Sequence, residues 1–193
     1  AAMTSYNNLL QQLKMVRDGS SSHRLGSDTD YTQGAVGSPH YIEGSAGYIG
    51  MSMAHMLGSK GRSLTFDDSA NGYNRGEGIT GIYLRRNNDS DKDTEDALEQ
   101  LASAVGGASN QDGRSASLTA PNGPSQALCV RLSCRQINRN WHDLHITEVH
   151  GTGTAIGDPI ETGSTKSLMV SPKAVRPLPL VITAGKSQTG HNE

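Results

Sequence analysis

Two stretches near the carboxy-terminal end share one plan, and that plan narrows the fold more than any other feature. Ile146-Thr147-Glu148-Val149 is a β-branched run that reads as a strand and leads into the turn His150-Gly151-Thr152-Gly153-Thr154. Asp158-Pro159-Ile160-Glu161 then reads as a cap, a first-turn proline and a reciprocal acid, opening a helix to about Met169. Leu178 to Ala184 repeats the strand, and Lys186-Ser187-Gln188-Thr189-Gly190-His191 repeats the polar turn with its histidine. Strands alternating with helices argue for an α/β class. Ligands of α/β sheets gather at the carboxyl ends of the strands, where both histidines stand.

The rest of the chain fits that class. Met3, Tyr6, Leu9, Leu10, Leu13 and Val16 predict a helix over 3–16. It begins with no cap before it, which leads to the expectation that the chain is cut from a longer one. Residues 17–39 are rich in Ser, Gly and Asp and predict a surface loop or insertion. Met51–Leu57 predicts a short helix, Phe66–Gly78 a loop and Ile79–Leu84 a strand. After a polar run at 87–95, residues 94–103 regain helical spacing, and Pro124 opens a helix to about Ile137.

Composition removes several functions. Seventeen basic against nineteen acidic residues give a net charge of −2, which argues against nucleic acid as a partner. No window approaches the ~18 consecutive apolar residues of a membrane span, and Ala1-Ala2-Met3-Thr4 lacks the features of a signal peptide. Cys129 and Cys134 lie five apart in a predicted helix, a spacing that suits neither a metal pair nor a disulfide. They read as reduced, inert thiols in a cytoplasmic chain, with an organelle left open; no metal site is predicted.

The candidate chemistry sits in the two turns. The glycines admit a close approach of backbone to a ligand, and the hydroxyls of Thr152 and Thr154 offer donors and acceptors. If both strands share one sheet, His150 and His191 reach one cleft, where two imidazole N–H groups aimed at one carbonyl oxygen would stabilise an enolate. Each feature taken singly has a plainer reading. A histidine at a strand end is commonly a hydrogen-bonded turn residue, Asp158 and Glu161 form an ordinary cap, and a glycine-rich turn can be a degenerate phosphate cradle.

Taken together, the motifs resemble a known family. EVHGTGTAIGDPIE at 148–161 resembles the histidine motif of β-ketoacyl synthases, and KSQTGHNE at 186–193 resembles their second histidine motif. FDDSANGYNRGEG at 66–78 and NQDGRSASLTAPNGP at 110–124 are similar to two further blocks, in the order the family uses. They look most like the ketosynthase domains of type I polyketide synthases, and residues 17–50 match poorly. The resemblance implies a thiolase-like layered fold (αβαβα), incomplete here, with residues 1–193 spanning the end of the family's N-terminal half and the start of its C-terminal half.

It also implies a decarboxylative Claisen condensation. His150 and His191 would stand at the malonyl thioester carbonyl, Lys186 would organise the second histidine loop with Glu161 as its partner, and Thr152 and Thr154 would contact the pantetheine arm. The implied partners are an acyl carrier protein, whose phosphopantetheine carries the substrates, the acyl and malonyl thioesters, and a second copy in a homodimer. No cofactor is bound directly. The family's nucleophilic cysteine would fall two positions before Ala1, and Cys129 and Cys134 cannot replace it, so this stretch alone is expected to be inactive and poorly ordered.

Two other functions remain in view. Gly151-x-Gly153 after a strand loosely resembles a dinucleotide-binding fingerprint, although the third glycine, Gly157, falls one residue late and Gly185-Lys186 follows the next strand where an acid is needed. A non-catalytic ketosynthase-like structural or dimerisation element is the other.

Overall fold

The structure is a computed structural model, and it describes residues 33–42, 44–85, 100–115, 120–169, 176 and 178–192. The chain divides into two units, one of Ala1–Pro39 with Ile79–Val105 and one of His40–Gly78 with Gly106–Glu193. The predicted helix at 3–16 lies outside the described residues, as do most of 17–39 and the polar run at 87–95.

The first unit holds the bodies of β1 (Gln33–His40) and β2 (Gly78–Arg85), which pair as a two-stranded sheet. β2 is the strand expected at 79–84. β1 corrects the expectation of a loop through 39. Its glycine-rich sequence carries little strand propensity of its own, so the partner strand supplies what the local residues lack. At Gly37 the space a Cβ would fill has Thr80 O 3.7 Å away, so the two backbones pass closely.

The second unit contains the candidate site. Its elements are α1 (Ala46–Met53), α2 (Gly123–Gln136), a single 3₁₀ turn at Trp141–Asp143, β3 (Ile146–Glu148), α3 (Gly157–Met169), β4 (Val181–Thr183) and one helical turn, α4 (Lys186–Thr189). α1 begins and ends earlier than the expected Met51–Leu57. His55, with φ +54°, stops it: Met56 N–H reaches back to Met51 O and His55 N–H to Ser52 O, a left-handed C-terminal motif built without glycine. Residues 100–103, expected to end a helix, have no regular structure.

α2 starts where its proline predicts. Asn122 caps it by accepting the Ser125 N–H at 3.2 Å. Its Ala127 packs with Leu168 and Met169 of α3, and Val130, Trp141, Leu144 and Leu180 close round that cluster. The Ser164 hydroxyl, midway along α3, donates to Gly123 O at 2.8 Å and fixes the start of α2 to that helix. Cys129 and Cys134 are free thiols in α2, and burial pushes both upward from the ordinary range.

β3 and β4 pair in parallel with Ile146 opposite Val181, Thr147 opposite Ile182 and Glu148 opposite Thr183. β4 is shorter than the run 178–184 that predicted it. The parallel register has one decisive consequence for the site: the turns after β3 and β4 leave from the same end of the sheet.

Candidate active site

Val149 N–H donates to Thr183 O at 2.9 Å, continuing the ladder one step past β3 before the chain turns at His150. Across the end of the sheet His191 arrives from the other turn. The two imidazole Nε2 atoms lie 3.3 Å apart, with ring centroids 5.3 Å apart and planes at 85°. Two residues 41 positions apart in sequence thus meet edge to face at one point.

Residues 150–154 are held by three neighbours. Gly151 and Gly153 have φ of +47° and +79°, and a Cβ on Gly153 would stand 2.7 Å from Leu64 N. The glycines therefore admit the chain's own segment 63–65, not a phosphate, which removes the physical basis of the dinucleotide reading. The Thr65 hydroxyl donates to Gly151 O at 2.6 Å, and Gly72 N–H donates to Gly153 O at 3.0 Å.

From α3, the buried Asp158 accepts Gly153 N–H at 3.1 Å and Phe66 N–H at 3.0 Å. The sequence predicts Asp158 as the cap of α3, but the helix starts one residue earlier. The Thr154 hydroxyl accepts Gly157 N–H at 3.1 Å in its place, which frees Asp158 to clasp two loops.

Glu161 accepts His150 N–H at 2.6 Å and Gly151 N–H at 2.9 Å, one on each carboxylate oxygen. It anchors the peptide that carries His150. The expected ion pair with Lys186 is not among the contacts of the described residues. Thr152 is buried, and its hydroxyl lies 3.2 Å from that of Thr154, so both hydroxyls are engaged within the turn.

The segment 72–76 completes the site. His191 N–H donates to Asn74 O at 2.7 Å, and Gly76 N–H to His191 O at 2.9 Å, so Arg75 bridges His191 through the backbone. The Tyr73 ring lies 5.0 Å from the His191 ring at 52°. His40, also buried, meets Arg75 Nη2 at 3.5 Å.

The electrostatics favour neutral imidazoles. Desolvation lowers His191 most, and the charges of His150, Lys186, His40 and Arg75 add to it, bringing the group to about 4. His150 is lowered by desolvation and then by Lys186, while Glu161 and Asp158 pull the other way. Near neutral pH each ring can present an N–H without carrying charge. Glu148 is a carboxylate held below the usual range by the Thr183 hydroxyl, the Gly185 amide and Lys186. A strand-ending acid has no sequence signal that distinguishes it from a solvated one. Asn74, Tyr73 and Thr65 stand out in the sequence only as neighbours or members of the family-like block at 66–78.

Known proteins share this arrangement of blocks. Residues 101–193 match the family described as β-ketoacyl synthase, C-terminal domain, and residues 35–90 match β-ketoacyl synthase, N-terminal domain. The chain is 34% identical over 158 residues to the non-reducing polyketide synthase afvB of Aspergillus flavus, covering 82% of this chain and 9% of that protein. It is 36% identical over 164 residues to the highly reducing polyketide synthase tstA of Talaromyces stipitatus, covering 85% of this chain and 6% of that protein. A solved ketosynthase from module 6 of the bacillaene synthase of Bacillus subtilis 168 superposes with a TM-score of 0.69 at 28% identity, covering 83% of this chain and 28% of that one. The chain thus spans a small part of each of these relatives.

Proposed function

Because the chain belongs to the β-ketoacyl synthase family, as part of a type I polyketide synthase ketosynthase domain with a thiolase-like fold, we propose that its histidine pair serves decarboxylative Claisen condensation. The observation that carries this reading is the 3.3 Å approach of the two Nε2 atoms on rings kept neutral by their surroundings. The substrate in this reading is a malonyl-type thioester on the phosphopantetheine of an acyl carrier protein. Its carbonyl oxygen lies against the two imidazoles and takes an N–H from each.

The carboxylate leaves as CO2, and the electron pair of the broken C–C bond passes to that oxygen as an enolate, which the two N–H groups stabilise. The enolate carbon then attacks an acyl thioester held on a cysteine. A C–C bond forms, the C–S bond breaks and the thiolate leaves. Cys129 and Cys134 do not suit this nucleophile, since burial raises both thiols and the Cys129 thiol donates to Ala108 O at 3.3 Å. Lys186 acts on both rings through its charge, Glu161 positions the His150 peptide, and the turn of Thr152 and Thr154 receives the pantetheine arm.

The test separates the two half-reactions in the full-length protein. His191→Ala is expected to slow release of CO2 from malonyl-acyl carrier protein by about 100-fold or more, and His150→Ala to abolish formation of the condensed product. Wild-type rates in both variants would refute the assignment.

A further inference from the structure

Glu148 ends β3 two residues before His150, and its carboxylate reaches across to the neighbouring strand. One oxygen accepts the Gly185 N–H at 2.6 Å, and the other accepts the hydroxyl of Thr183, its register partner on β4. Gly185 immediately precedes Lys186 and opens α4, with no side chain of its own to cap the turn. The acid of one strand thus grips the peptide from which Lys186 leaves the other. It interacts with the Lys186 charge as well.

Lys186 in turn bears on both rings. The charges acting on His150 are Lys186, Glu161 and Asp158, and those acting on His191 are His150, Lys186, His40 and Arg75. We infer that Glu148 is a positioning residue of the condensing site: its carboxylate places and counterbalances Lys186, and so sets how much of the ammonium's field the two imidazoles receive. This role rests on the condensing function of the histidine pair.

Glu148→Gln separates charge from shape, because the amide keeps the size of the side chain and an acceptor for Gly185 N–H. Two readouts are made on the full-length protein: the imidazole titrations of His150 and His191 by NMR, and the acid limb of malonyl decarboxylation. With its counter-charge gone, Lys186 should oppose imidazolium more strongly. Both titrations and the acid limb are expected to move to lower pH by about half a unit, a threefold change in rate on that limb. In a Lys186→Met background the same substitution should leave the titrations unmoved.

Titrations unmoved by Glu148→Gln in an active enzyme would overturn the role of Glu148, and so would a shift that persists without Lys186. Titrations that move in a protein with no malonyl decarboxylation would instead overturn the condensing reading, and with it the catalytic meaning of the shift.

Discussion

His191 has more of its environment arranged against protonation than any other histidine described. Its ring is partly desolvated, and His150, Lys186, His40 and Arg75 all act in the same direction. An unfolded chain would take up a proton at this residue near 6.5, whereas the folded chain holds out to about 4. Between those values the unfolded state binds more protons, so stability is full above the window and falls as pH drops through it. Replacing His191 with Gln should flatten that part of the stability–pH curve, measured by denaturant unfolding between pH 7 and 4. A decline as steep in the variant as in the wild type would contradict the assignment.

The glycines supply a second residue-scale contrast. Gly153→Ala would combine a φ of +79° with a Cβ 2.7 Å from a backbone nitrogen, and neither can be relieved by a rotamer. It is expected to cost more than about 2 kcal/mol. Gly163→Ala, in α3 with nothing within 4 Å of the new Cβ, should stabilise by about 0.5–1 kcal/mol. Thermal unfolding of the two variants should therefore move in opposite directions.

Among elements, α3 links the site to the core. Its apolar positions Leu168 and Met169 pack on α2, while its first two turns send Asp158 and Glu161 to the loop peptides of residues 66, 150, 151 and 153. Asp158→Ala leaves two partly buried amides without their acceptor, a loss of about 2–4 kcal/mol locally. The expected signature is faster hydrogen exchange at Phe66 and Gly153, with the α2–α3 amides little changed. Asn122→Ala removes the cap of α2 and the bond from Asn122 Nδ2 to Asp112 O at 2.8 Å, and should cost about 1–2 kcal/mol.

Elements with strong local signals were legible: proline-led α2, β-branched β2 and β3, and the acidic start of α3. β1 and the true limits of α1 were not. The first depends on strand pairing, and the second on a histidine in the left-handed region, for which the residue type gives no warning.

For the molecule as a whole, the burial pattern carries a prediction of its own. Ile146 and Val181 face each other in register, yet they are 66% and 50% exposed, and Leu178 beside them is 58% exposed. Among the described residues the sheet they belong to has two strands. Apolar side chains and strand edges left open in this way favour association. The 193-residue chain expressed alone is expected to bind hydrophobic dye and to self-associate at micromolar concentration. A sharp, monomeric, cooperative melt would refute that expectation.

Local sequence was enough for the class of fold, the two histidine turns and the family, because strand and helix periodicity, caps and short motifs are properties of neighbouring residues. It could also place His150 and His191 at the ends of two strands. Packing settled that the strands are parallel neighbours in register, which brings the two Nε2 atoms to 3.3 Å. Packing also settled that Glu161 holds the His150 peptide, that Asp158 joins residues 66 and 153, and that Glu148 holds the Gly185 peptide. A carboxylate in a sequence is a charge of known type. Which amide or ammonium it meets depends on chain segments up to 92 residues apart, and only the packed backbone brings those together.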